Sequence, residues 1–384
     1  MGVFVFAGLL SIFLKYLMIG ESGIMTSIYK GFDYNFYFLV PSYLCIPPAY
    51  LITKLLAKAR VHMTKKAYMA VIGMTISFIG VPLIALLLPS TEEYFILLLV
   101  CFWVTFVFNA MYQAFFLSIA SVYHPFWTEI FCIFQPTANL LVVVLKNISF
   151  WLKLSYAQDF TMLWSVYVLS NLFLLYFFFK LSKTEQYLAS FDLGEKKEDG
   201  EDGDDEGTQK ETKVDYRAAW VVIKWEAIGL FFTMFLSFVI YPGVFFSSWP
   251  ITLFSIRKYI LIMNTSSSIC DVLGRILSRS LFAKLFIKNS FGLIVVIDIF
   301  VIYVYLAEVN IYHEGIVYTM FVLICFCVLR ASMGVSCYFK AANEKAGDKN
   351  REAVGSMMTN LLLGGIAIGN MVSDSLPTLK QLFS

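Results

Sequence analysis

The chain reads as long apolar runs cut by short polar breaks, and that alternation limits what it can become. A helix that crosses a bilayer needs ~20 mostly apolar residues. Eleven stretches fit, at 3–24, 34–58, 68–89, 94–121, 126–147, 160–182, 218–245, 254–283, 290–308, 315–339 and 353–375. The narrowest break is Val122-Tyr123-His124-Pro125. Composition agrees: 59% of residues are hydrophobic and 15% charged, against ~45–50% and ~25% in soluble chains. A soluble body of this length would lack the polar surface to cover itself. That excludes a soluble enzyme, a disordered chain and a nucleic-acid-binding module. The expectation is an all-α polytopic membrane protein. The apolar start, Val3 to Ile19, has neither a basic region ahead of it nor a small-residue cleavage site, so it is expected to be the first span and not a removed leader.

Lys and Arg placement predicts orientation. With the amino terminus in the cytoplasm, nineteen of them fall on the inner side, among them Lys54, Lys65, Arg217, Arg279 and Lys340, and six on the outer side, such as Lys30, Lys146 and Lys153. Basic residues concentrate on the cytoplasmic face. This puts the amino terminus inside and the carboxyl terminus outside, in the plasma membrane, and requires an odd number of spans. The net charge of +2 hides a run from Asp192 to Asp215 with eleven acids and four lysines. Residues 195–212 within it contain no hydrophobe, so they are expected to be an unfolded cytoplasmic linker. It divides the chain into a six-span bundle (1–182), the linker (183–217) and a five-span bundle (218–384). Two bundles about a central site are a transporter arrangement. A receptor or scaffold that uses the acidic linker as its docking site is the alternative from another class.

The seven cysteines, Cys45, Cys101, Cys132, Cys270, Cys325, Cys327 and Cys337, all lie in apolar stretches without zinc-type spacing, so neither disulfides nor a metal site is expected. No P-loop, HExxH or G-x-S-x-G occurs, and His62, His124 and His313 stand in loops or at helix ends. The chain is therefore read as a non-enzyme that needs no cofactor.

Ionisable groups inside a membrane cost ~2.5–3.5 kcal/mol each on insertion scales, which makes each a functional candidate. Six stand out: Lys15, Glu129, Asp271, Arg275, Asp298 and Arg330. Three are positive and three negative, which also fits ion pairs of purely structural use. Asp271 and Arg275 are four apart and share a helix face, with Gly274 beside them leaving room for close approach. The pair suits a neutral ligand rich in hydroxyls and ring nitrogens, or else closes on itself as an intrahelical salt bridge. Gln113 offers a donor and an acceptor at mid-span, for a ligand or for a neighbouring helix. Carboxylates at Asp298 or Glu129 could carry protons. Pro242, Pro47-Pro48 and Pro136 interrupt helix backbones, as hinges or as tolerated kinks. Gly365-xxx-Gly369 marks a close-packing face.

Motifs along residues 94–372 resemble the equilibrative nucleoside transporters. Gln113-Ala-Phe-Phe-Leu-Ser-Ile-Ala-Ser121 resembles that family's fourth-span run. Phe134-Gln135 followed by Ala138 is similar to its fifth-span motif, and Tyr241-Pro-Gly-Val244 to its seventh-span Phe-Pro-Ala-Val. Asp271-Val-Leu-Gly-Arg275 matches its eighth-span Asp-x-x-Gly-Arg, the most specific likeness. Cys337-Tyr-Phe339 and Glu352-Ala-Val-Gly355 resemble the ends of its tenth and eleventh spans. The resemblance implies a major-facilitator-like fold of eleven helices in a 6+5 pseudo-two-fold bundle. It also implies facilitative carriage of nucleosides, sometimes nucleobases, by alternating access in a monomer surrounded by lipid, with no nucleic-acid partner. By the same resemblance Gln113 would contact the base, Asp271 and Arg275 the ribose or base edge, and Ile366 the cavity wall.

The sequence departs from the family at three places. A first-span Pro-Trp-Asn is replaced near Leu14-Lys15-Tyr16, which sets Lys15 at the substrate site, to pair there with Asp271, Glu129 or Asp298 or to reach the ligand. A ninth-span arginine falls near Ile297, with Asp298 beside it. Arg330 stands where the family has a small residue. Pro242, Arg330, Asp298 and Glu129 are the gating or coupling candidates. The added positive charge leaves a carrier of nucleotides, or a proton-coupled nucleoside carrier, as same-fold alternatives.

Overall fold

The structure of the protein is a computed structural model. It describes residues 2–29, 41–42, 44–59, 61–123, 125–192, 216–240, 256–280 and 314–383. Among these residues the helices are α1 (Gly2–Ile28), α2 (Ile46–Lys58), α3 (Met63–Leu87), α4 (Glu92–Tyr123), α5 (Pro125–Phe134), α6 (Thr137–Trp151), α7 (Tyr156–Leu181), α8 (Glu185–Asp192), α9 (Tyr216–Phe238), α10 (Ile256–Leu277) and α11 (Glu314–Phe383). The acidic run 195–212 and the stretch 290–308 lie outside the described residues, as do Pro242 and Asp298.

Among the described residues seven helical segments are long and apolar enough to cross a membrane: Met63–Leu87, Glu92–Tyr123, Phe126–Trp151, Ala157–Ser182, Arg217–Phe238, Ile324–Ala346 and Ala353–Ser373. Local sequence sets their ends. Pro125 starts α5 immediately after α4 ends at Tyr123, since its missing N–H is harmless in a first turn. Pro136 sits between α5 and α6 as the cap of the latter. Pro47 and Pro48 stand in the first turn of α2, so they begin a helix and do not break one. Ser155 and Gln158 form a reciprocal capping box at the start of α7, which satisfies two N–H groups that would otherwise be orphaned.

The long helical stretch α11 doubles back on itself. A Cβ at Gly365 or Gly369 would lie 2.6 Å from the carbonyl oxygen of Phe231 or Phe235 on α9, while Gly334 faces Thr233 between them. On a straight helix Gly334 and Gly365 would be ~46 Å apart. The chain therefore reverses between its two apolar segments, and both pack on α9. Gly365 and Gly369 let the two backbones touch, which is the close packing their spacing predicts.

The helix α1 is central to the amino-terminal half and packs on α4, α5, α6 and α7. Tyr112 on α4 donates to the Ala7 carbonyl at 2.7 Å. Phe13 of α1, Tyr167 of α7 and Phe78 of α3 form one cluster of tilted rings. The two halves meet where α4 and α5 pack on α11 and where α6 packs on α10. Exposed apolar side chains such as Ile76, Leu87, Phe173 and Val221 cover the outer faces, as lipid contact requires.

The glycine contacts give a stability prediction. A Cβ at Gly364 would meet only the far edge of Phe231, at 3.8 Å. Gly364→Ala is expected to leave thermal stability in detergent unchanged or to raise it by up to ~1 kcal/mol through helix propensity. Gly365→Ala is expected to lower it by ~1–3 kcal/mol through overpacking. Equal melting temperatures for the two variants would refute the backbone contact.

Candidate functional site

A cavity of about 90 Å³ lies between the halves, walled by Ile12 and Lys15 of α1, Asn139 of α6, Met234 and Phe238 of α9, Ser267, Asp271 and Arg275 of α10, and Ser332 and Ile366 of α11, with Gln135 from the α5–α6 turn. Such a space holds several waters, each of which needs ~10–15 Å³. Asp271 and Arg275 therefore face the protein interior beside open space. They point neither at lipid nor into a closed seam.

The approach of α10 to α11 makes this geometry possible. A Cβ at Gly274 would lie 2.2 Å from the carbonyl oxygen of Leu329 and 2.8 Å from the Ser332 side chain. Only glycine allows that distance, and it brings Ser332 to Asp271. The Ser332 hydroxyl donates to Asp271 Oδ1. The Arg275 Nε lies 3.8 Å from the same oxygen, an ion pair too long to be a hydrogen bond. Arg275 is only 4% exposed, and its Nε and Nη1 make no hydrogen bond among the described residues. An unsatisfied buried donor costs ~1–3 kcal/mol, and more when charged. A ligand that offers oxygen or ring-nitrogen acceptors would recover that energy. Lys15 reaches the same cavity from α1, with its Nζ 3.8 Å from the centroid of the Phe238 ring, within cation–π range.

The structure thus collects Lys15, Asp271, Arg275 and Ile366 around one space. Gln113 does not join them. Its amide nitrogen donates to the Ser11 carbonyl at 2.6 Å and to Asn109 Oδ1 at 2.7 Å, which holds it inside the amino-terminal half between α4 and α1. Arg330 is buried in α11 at 5% exposure but does not line the cavity. Ser332, Phe238, Asn139, Ser237 and Ser267 are wall residues that sequence reading missed, because a serine or phenylalanine in an apolar helix carries no positional signal of its own.

A second chamber of about 310 Å³ lies one to two turns farther along the same helices, lined by Glu129, Cys132, Arg279, Ser336, Lys340 and Glu344 among others. Glu129 of α5 lies 2.9 Å from Lys340 of α11 and 3.6 Å from Arg279, just after α10. One carboxylate of the amino-terminal half thereby holds two cations of the carboxyl-terminal half. At the other end of α6, Lys146 pairs with Asp159 of α7 at 2.7 Å, a contact within one half.

No described family matches the chain, and no curated protein does. Solved structures do. The proton:xylose symporter XylE of the major facilitator superfamily aligns over 99% of this chain and 93% of its own, at TM-score 0.61 and 12% identity. A bacterial homologue of the iron transporter ferroportin in the outward-facing state aligns over 99% and 97%, at TM-score 0.63 and 9% identity. The Escherichia coli fucose:proton symporter FucP aligns over 100% and 96%, at TM-score 0.53 and 11% identity. At such identities the likeness establishes the fold: the chain has the architecture of the major facilitator superfamily. With seven helices among the described residues long and apolar enough to cross a membrane, it is an integral, multi-pass membrane protein.

The buried pair predicts a specific stability pattern. Asp271→Ala strands the Arg275 charge and is expected to cost ~3–5 kcal/mol in detergent unfolding. Adding Arg275→Met should restore most of the loss. A double variant no more stable than the single would show that the two groups are not coupled.

Proposed function

We propose that the protein is a facilitative nucleoside carrier that works by alternating access through the central cavity. The observation that carries this reading is the buried Arg275 and its Asp271 partner facing open space at the seam of the two halves. A carboxylate acceptor and a multi-donor guanidinium on one wall match the hydroxyls and ring nitrogens of a nucleoside. The apolar wall of Ile12, Met234, Phe238, Leu362 and Ile366 suits its base. The spans divide six and five about the linker, with the amino terminus cytoplasmic. The carrier needs no cofactor.

On this reading the Glu129 ion pairs form the inner gate. Arg279, Lys340 and the basic loops near them lie on the side that the Lys and Arg distribution assigns to the cytoplasm. Glu129 is engaged by two cations, and on this reading it is the latch. The three side chains are 27–49% exposed, and pairs of that exposure contribute only ~0–1 kcal/mol each. A weak latch is what a gate that opens every cycle requires, since a deep well on either side would stall the exchange.

Two outcomes test the proposal. In proteoliposomes the purified wild type is expected to take up radiolabelled adenosine down its gradient, while Asp271→Asn and Arg275→Ala lose most of that uptake. A wild type that carries no nucleoside, or two variants that carry it normally, would end this reading. Cys132 lines the inner chamber and is buried at 2% exposure. In Glu129→Gln its alkylation by a membrane-impermeant maleimide applied from the cytoplasmic side should speed up about fivefold, as a ~1 kcal/mol shift of the gate implies. An unchanged rate would exclude Glu129 as a latch.

A further inference from the structure

The second chamber has a binding chemistry of its own. It measures about 310 Å³, against about 90 Å³ for the central cavity, and small-molecule sites begin at ~300 Å³. Thr128, Cys132 and Ile133 of α5 line it from one half of the protein, and Ser336, Phe339 and Asn343 of α11 from the other. Thr128 Oγ1, Ser336 Oγ and Asn343 Oδ1 are buried and make no hydrogen bond among the described residues. Thr128 is 3% exposed and Asn343 5%. A buried polar group left unpaired costs free energy, and protein interiors hold few of them. Three around one chamber, contributed by both halves, are a concentration that packing does not explain. All three groups are neutral. Each hydroxyl can donate and accept, and the amide oxygen accepts. The cations Lys340 and Arg279 already pair with Glu129. The ligand that fits the three groups is therefore uncharged. It carries several hydroxyls or ring nitrogens, with an apolar face to lie against Ile133 and Phe339.

We propose that this chamber is a second binding station for the nucleoside, between the central cavity and the cytoplasm, where Thr128, Ser336 and Asn343 hold it. The inference rests on the nucleoside reading, but it places a second molecule on different residues. The two spaces are continuous along α10 and α11. Arg275 lines the first and Ser278 the second; Ser332 lines the first and Ser336 the second. Residues three or four apart share a helix face, so a solute that leaves Asp271 and Arg275 meets Ser336 next. Passing its hydrogen bonds from one set of groups to the next spares the solute from crossing the seam with its polar groups unpaired. A solute held there also touches both halves beside the Glu129 ion pairs.

The test is equilibrium binding of radiolabelled adenosine to the purified protein in detergent. The wild type is expected to bind two molecules at saturation, and Asp271→Ala with Arg275→Met only one. In Thr128→Val with Asn343→Leu the chamber's affinity should fall about tenfold or more, as loss of two hydrogen bonds implies. Apolar isosteres of groups that have no partner should leave the protein folded. Cys132 lines the chamber and reports on it separately. In the Asp271→Ala, Arg275→Met protein, adenosine should slow alkylation of Cys132 by N-ethylmaleimide, read by peptide mass spectrometry. Adding Thr128→Val and Asn343→Leu should abolish that protection. A single site that is lost in Asp271→Ala with Arg275→Met would overturn the second station and leave the nucleoside carrier standing. A single site that is lost only in Thr128→Val with Asn343→Leu would support the chamber and overturn the central site. No adenosine binding by the wild type would overturn both. An unprotected Cys132 in the Asp271→Ala, Arg275→Met protein would exclude the nucleoside from the chamber.

Discussion

A guanidinium nearly sealed inside a bundle of apolar helices sets the terms for everything around it. A guanidinium is not deprotonated in proteins, so the fold must supply compensation. It does so with Asp271 one turn earlier on α10, and with Ser332, which holds that carboxylate from across the helix interface. Gly274 makes the arrangement possible, since any side chain there would drive α10 off the Leu329 backbone. The compensation is incomplete: the ion pair is long, and two guanidinium nitrogens have no hydrogen bond among the described residues. Incomplete satisfaction beside open space is what the proposed binding wall rests on.

The other buried or half-buried charges differ from Arg275 in depth and in what they join. Lys146 and Asp159 are close to ideal hydrogen-bonding distance and mostly buried, and they tie α6 to α7 within one half. Glu129, Arg279 and Lys340 are more exposed and tie one half to the other. Burial strengthens an ion pair's geometry requirements, and exposure weakens its energy. A tight pair within a half and a loose cluster across the seam fit a protein whose halves move as units. The outward faces expose apolar side chains, as the proposed rocking within lipid requires.

Much of this was legible in the sequence, for identifiable reasons. Bilayer thickness fixes the length of an apolar run, so seven of the eleven expected spans have a counterpart among the described residues, and Pro125 and Pro136 marked real breaks. The spacing of four between Asp271 and Arg275 placed them on one helix face, and Gly365-xxx-Gly369 marked a backbone contact that the structure contains on α9. Gln113 shows the limit. A buried amide seeks any good acceptor, and which one it finds depends on how α1 lies against α4. That is a three-dimensional fact, and Ser11 and Asn109 satisfy its nitrogen before the cavity is reached. Ser332 and Phe238 were invisible for the opposite reason: among 38 phenylalanines, nothing marks the one that lies under Lys15. The Lys146–Asp159 pair joins two helices across a turn, so helical spacing could not reveal it.

On the alternating-access reading, the space beside Asp271 and Arg275 opens to each side of the membrane in turn. Ser237 lines that space from α9 and is 8% exposed, so Ser237→Cys, placed in a chain whose seven cysteines are replaced, reports on access directly. Membrane-impermeant thiol reagents should label it from the outer side and, in separate experiments, from the cytoplasmic side, and saturating adenosine should slow both reactions. Labelling from neither side, or rates that adenosine leaves untouched, would mean that the space is a sealed packing defect and not a transport site.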